Sequence, residues 1–105
     1  MSRAKFDVRP VLLWSDQAAR DLEAIAAFIG ADDPVAAVLW VEELVLTAEK
    51  LPFTPLMGRR VPEFGRADIR ELIHGKYRVV YRVGREHLEV LTVFEGHRLM
   101  RLPSR

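Results

Sequence analysis

The side chains best equipped for chemistry in this sequence are arginines, and they gather around one short run. "YRVVYRV", Tyr77 to Val83, holds Arg78 and Arg82; "GRRVPEFG", Gly58 to Gly65, holds Arg59, Arg60 and the carboxylate Glu63; "IREL" holds Arg70; and "EGHR" holds His97 and Arg98. An arginine offers a planar fork of N–H donors that pairs with carboxylate or phosphate and stays charged at any cellular pH. Arg59, Arg60, Arg78, Arg82 and Arg98 together would therefore make a surface for an anionic target or an acidic protein segment. A second chemistry, general acid-base catalysis, needs a group that titrates near neutrality, which arginine cannot supply. Only His74 and His97 are candidates for it. Plainer roles stand beside these: Arg78 and Arg82 as solvated charges on an open sheet face, Glu63 and Arg70 as an ion pair pinning a loop, and His74 and His87 as polar residues in turns.

The elements that must position these residues follow from periodicity. Tyr77, Val79, Tyr81 and Val83 alternate with Arg78, Val80 and Arg82, so period two puts both arginines on the face opposite the tyrosines. Strands are expected at Ile69 to Ile73, Tyr77 to Val83 and Leu88 to Phe94, joined by turns containing Gly75 and Gly84 as an antiparallel meander, with "GRRVPEFG" as the loop before it. Upstream, Val8 to Trp14 has the composition of a strand whose Pro10 marks an edge or an irregular start. Ser15 is an N-cap for a helix from Asp16, in which Leu22, Ile25, Ala26 and Ile29 recur at helical spacing and Gly30 is the expected stop.

After a "GADD" connection, Asp33 caps and Pro34 opens a second helix running to about Lys50, and Pro52 and Pro55 follow it. Its stripe of Ala37, Trp40, Val41, Leu44 and Ala48 is core, Trp40 included, but Val38, Leu39, Val45 and Leu46 carry apolar surface well beyond one face. A second buried surface, against a partner, is the expectation there. The fold class is α+β: an N-terminal strand, an α-helical hairpin, then the three-stranded antiparallel meander, in the order β-α-α-β-β-β. Residues 1–105 are expected to form a single domain, with the hairpin on one face of the sheet and the arginines projecting from the other or from its rim.

Composition narrows the function. A chain of 105 residues builds one modest core. Half of it is apolar and 30% is charged, which is ordinary globular composition. It has no cysteine, so disulfides and thiol chemistry are excluded, and its three histidines make no metal-ligand spacing. No apolar run approaches the roughly 18 residues of a membrane span, and "MSRAKFDVRP" lacks the apolar segment of a signal peptide, so the cytoplasm is the expected location. Sixteen Lys and Arg stand against fifteen Asp and Glu, a net charge of +1. So small an excess is a poor basis for binding nucleic acid through counterion release, and no direct specific DNA binding is expected. The acidic residues concentrate in the first half (Asp16, Asp21, Glu23, Asp32, Asp33, Glu42, Glu43, Glu49) and the basic ones from Arg59 onward, the half that should meet an anionic partner.

In their order and spacing, "DDPVAAVLWVEEL", "GRRVPEF", "IREL" before "YRVVYRV", and the closing "LTVFEGHR" resemble the ParE/RelE superfamily of small bacterial toxins, over nearly the whole chain. The resemblance implies a toxin neutralised in a hetero-oligomer by a cognate, ParD-like antitoxin. It also implies one of two activities. A RelE-like member cuts messenger RNA in the ribosomal decoding site; a ParE-like member poisons DNA gyrase without a hydrolytic site of its own. Glu63, Arg70 and Arg78 match positions where some ribonuclease members carry functional side chains, with His97 left as the general base. Those nucleases tend to have a His or Tyr pair at the end of the last strand, where this sequence has Glu95, Gly96, His97 and Arg98. The expectation is accordingly the ParE-like branch, a gyrase inhibitor with no cofactor and no metal. The alternatives are the RelE-like endoribonuclease and a non-toxic binding module that uses the apolar helix surface.

Overall fold

The computed structural model describes residues 9–96. Strand β1 (Val11–Trp14) leads into helix α1 (Asp16–Asp32) and helix α2 (Pro34–Ala48), and then come β2 (Arg59–Arg60), β3 (Ile69–His74), β4 (Tyr77–Val83) and β5 (His87–Glu95). The strands form one mixed sheet in the order β1-β5-β4-β3-β2. β1 runs parallel to β5, and every other neighbouring pair is antiparallel. The α+β class and the meander agree with the sequence expectation. The two-residue strand β2 was expected to be loop: a pair this short, "RR", has no alternation to give it away, and it exists because Arg59 and Arg60 fall opposite Glu71 and Arg70 on β3.

The helix termini show how local chemistry sets the hairpin. Ser15 Oγ accepts the Ala18 N–H and starts α1. Gly30 does not stop that helix, which continues to Asp32; Gly30 lies in its last turn where α2 approaches, and a Cβ there would stand 3.4 Å from that of Ala37. The expected "GADD" connection shrinks to Asp33 alone. Its extended backbone breaks the helix, its N–H closes α1 on the Ile29 carbonyl, and its carboxylate caps α2 through the Ala36 N–H. α2 ends at Ala48 rather than Lys50, and turns follow.

The hairpin packs on one face of the sheet. Ala18, Leu44, Ala48, Leu51, Tyr77, Val79, Tyr81, Leu88, Val90 and Val93 form the main core, with Trp40 packed at its margin, edge-on to the Tyr77 ring. The opposite face carries a smaller cluster of Val61, Ile69, Val80 and Leu91, with Phe94 beside it. Leu91 reaches this second face because β5 has an extra residue there: Val80 stands opposite Thr92 and Tyr81 opposite Val90. β1 ends level with the bulge, which leaves the edge of β5 uncovered from Leu91 on. α1 covers it: Ser15 Oγ donates to the Leu91 carbonyl, and one oxygen of Asp21 accepts from both the Val93 N–H and the Thr92 hydroxyl. Buried backbone groups that a strand would have paired are thus satisfied by two side chains of one helix.

Candidate functional site

β4 and β3 place Arg78 and Glu71 on the face away from the helices, two residues from register on neighbouring strands. Arg78 is only 6% exposed and Glu71 1%. Arg78 Nε donates to Glu71 Oε1 at 2.6 Å, and Nη1 and Nη2 donate to the two oxygens of Glu63 at 2.9 Å each. Glu71 Oε2 accepts in turn from Arg59 Nε at 2.6 Å. Two cations and two anions therefore close into one neutral network, with the Arg78 guanidinium 5.2 Å from the centre of the Phe94 ring. Glu63 raises the Arg78 pKa above its ordinary value most, Glu71 adds to this, and burial acts the other way. The same contacts, led by the hydrogen bonds from Arg78, hold the Glu63 carboxyl below its usual 4.5. Arg78 is thus not a solvated charge, and Glu63 pairs with it rather than with Arg70.

Arg70 has a different task. Its Nε donates to the Ala67 carbonyl and its Nη1 to the Gly58 carbonyl, both at 2.9 Å, so it staples the two ends of the loop that carries Glu63. Tyr81, which sequence reasoning placed in the core without a role, holds the preceding segment: its hydroxyl donates to the Pro55 carbonyl and accepts the Gly58 N–H, each at 2.8 Å. Gly58 is needed here because a Cβ would come within 2.5 Å of the Glu71 carbonyl oxygen and 2.7 Å of the Tyr81 hydroxyl. Burial pushes the Tyr81 phenol pKa up, against the opposing pull of the Gly58 N–H.

The other expected residues scatter. Arg82 lies on the Arg78 face but pairs with Glu89 at 2.9 Å. Arg60 is exposed and makes no ion pair among the described residues. His74 packs its ring 6.1 Å from that of Trp40, on the helix side of the sheet, and His87 is exposed at the start of β5. His97 and Arg98 lie outside the described residues. Among the described residues no cluster of His, Asp and Glu is placed to hold a metal, and no helix is long and apolar enough to cross a membrane. Glu71 was missed as a network member, although its signal was present: alternation in "IREL" sets it on the Arg78 side of the sheet.

A second surface lies on the helices. Val38, Leu39 and Leu46 are 57%, 52% and 61% exposed, with Val45 half-buried beside them. Shallow, mostly apolar grooves run along this side of the hairpin, lined by Ala26, Val38, Val41, Val45 and Leu46 with the one carboxylate Glu42. An open groove of about 220 Å³ between α1 and the ends of β4 and β5 is lined by Ile25, Phe28, Tyr77 and Phe94 with Asp21 and Glu95, a lining unsuited to an anion.

Residues 12–100 match the model of the ParE toxin of the type II toxin-antitoxin system parDE. The chain belongs to the ParE toxin family. Within related sequences it is 35% identical over 92 residues to the Sinorhizobium fredii (strain NBRC 101917 / NGR234) protein named "Putative toxin Y4kP", a match covering 85% of this chain and 91% of that one. Its fold matches a chain of the chromosomal ParDE system from P. aeruginosa with a TM-score of 0.71 at 22% identity, covering 83% of this chain and 96% of that one. A chain of the RelBE2 toxin-antitoxin complex from Mycobacterium tuberculosis matches at 0.56, also at 22% identity, over 84% and 99% of the two chains. These two likenesses are to the fold alone. The buried Arg78 network and the exposed face of α2 are therefore features of a ParE-family toxin of a type II system.

Proposed function

We propose that this ParE-family toxin arrests growth by binding DNA gyrase rather than by cutting RNA, and that a ParD-like antitoxin neutralises it by covering the outer face of α2. The observation that carries the choice of activity is the commitment of Arg78. A ribonuclease needs, beside its cation, a group that moves a proton near neutral pH, whereas the groups on the Arg78 fork are the carboxylates of Glu63 and Glu71, and Arg78 holds the Glu63 carboxyl below its usual 4.5. His74 is on the helix side of the sheet, and His87, at the start of β5, lies beyond the end of β4 that is farther from Arg78. A toxin whose open face is already neutral is better suited to protein recognition than to RNA chemistry. The antitoxin reading is supported by the exposure of Val38, Leu39 and Leu46 on one helix, apolar surface of the kind that a stable interface needs, and by the solved toxin-antitoxin systems that share the fold.

The test is to add the purified toxin to gyrase acting on relaxed plasmid and, separately, to ribosomes translating a defined message. Loss of supercoiling without codon-specific cleavage is expected. Robust cleavage that disappears in His97→Ala would replace gyrase with RNA as the target.

A further inference from the structure

We propose that Glu63 is an internal stand-in for a carboxylate of a partner, and that the Arg78 fork beneath it is a binding notch for an acidic peptide segment. The inference rests on the antitoxin reading above for the source of that segment.

The two carboxylates on Arg78 are held in different ways. Glu71 projects from the middle of a strand, is fully buried, and is bonded a second time by Arg59. It is a permanent counter-ion. Glu63 comes from a connection in which residues 62–67 are all exposed, and its own side chain is 33% exposed over an Arg78 side chain that is 8% exposed. It closes the outer edge of the guanidinium like a plug. Val61 beneath it is fully buried and pairs with Ile69 through the backbone, so the Glu63 side chain can turn away while the loop stays anchored.

With Glu63 turned out, Nη1 and Nη2 present a planar fork whose orientation is fixed by Glu71 on one edge and the Phe94 ring at its side. The charge around the notch selects its occupant. Arg59 and Arg78 against Glu71 leave one unit of positive charge, which a carboxylate restores to neutrality. A doubly charged free phosphate would instead leave one unit of negative charge beside Glu71. Replacing one carboxylate by another keeps both charge-assisted hydrogen bonds. Glu63 then acts as a competitor, lowering apparent affinity by the fraction of time the fork is open.

The experiment follows the Arg78 Nε–Hε resonance of ¹⁵N-labelled protein during titration with N-acetyl-triglutamate amide and, separately, with inorganic phosphate. In Glu63→Ala the peptide should bind about tenfold tighter than in the wild type, as expected when a plug closed roughly nine-tenths of the time is removed. Glu63→Gln, which keeps the shape of the plug without its charge, should fall between them and carries the comparison if the alanine variant melts. Equal peptide affinity in the wild type and the folded variants would overturn the proposal, as would tighter binding of phosphate than of peptide. Colony formation under induced expression is scored in parallel. A toxic protein without the Arg78 response loses the notch alone, and a non-toxic protein with the response loses the toxin reading alone.

Discussion

The two faces of the sheet are built on different physical principles. Under the helices, burial is mostly apolar, from Ala18 and Leu44 to Val79, Val90 and Val93, and the polar groups there, the Tyr81 hydroxyl and the Asp21 carboxylate, bond to backbone groups or a hydroxyl rather than to an opposite charge. On the other face, four apolar residues surround an ion-paired network that no helix covers. Apolar burial is non-directional and tolerates changes of shape at modest cost. A buried guanidinium is directional and unforgiving: desolvation opposes it, and only well-placed partners offset that penalty. The first face contributes non-directional burial, while the second holds one arginine in a fixed plane between two carboxylates.

Arg78→Ala should break this contrast most sharply. It leaves Glu71, with no exposed surface on its side chain, facing Arg59 alone, and removing one partner of a buried pair costs about 3 to 5 kcal/mol. A double variant, Arg78→Met with Glu71→Leu, removes the buried charges together and should recover most of that loss, because Glu63 and Arg59 can then both turn to solvent. Urea midpoints of the three proteins test this. If the single variant is as stable as the wild type, the network is not the buried device described above.

Tyr81→Phe is expected to have an intermediate effect. The ring still fills the helix-side core, so packing is conserved, but the Gly58 N–H and the Pro55 carbonyl lose their shared partner at a buried site. An unsatisfied buried group costs roughly 1 to 3 kcal/mol. Because Gly58 also accepts from Arg70, hydrogen exchange should quicken first at Gly58 and then along β2, with α1 unaffected. Uniform acceleration across the molecule would mean that Tyr81 supports the core rather than the junction between the faces.

Sequence reasoning reached the helix-covered face more fully than the other, for a physical reason. Periodicity reports which side of an element is apolar, and it placed the tyrosines of β4 inward, Arg78 and Arg82 outward, and the apolar excess of α2 in the open. It carries no information on which long polar side chain meets which. Glu63 was matched with Arg70 because both flank the same loop, yet the fold brings Glu63 over β4 and turns Arg70 to backbone carbonyls. Burial of Arg78 was equally hidden, since an arginine alternating with valines has the same pattern whether water or two carboxylates cover it. The bulge at Leu91 and the two-residue β2 escaped because each departs from period two within a single step.

The smallest expected effect separates the faces by pH. Glu63 titrates below its usual 4.5 when folded, chiefly because Arg78 donates to it. Between those two values the unfolded chain binds a proton that the folded chain does not. The stability contributed by the Glu63–Arg78 contact is therefore fully present above the unfolded value and is lost as pH falls through the folded one. Solvent screens a side chain that is 33% exposed, so the loss should be modest. Asp68, held low by Arg66, titrates in the same direction and persists in a Glu63→Gln variant, which makes the difference between the two proteins the quantity to read. Urea midpoints measured from about pH 6 down to about pH 3 should fall more steeply for the wild type than for Glu63→Gln, with parallel curves above about pH 5. Identical slopes throughout would mean that Glu63 spends little of its time on Arg78, and the fork would then stand open in the free toxin.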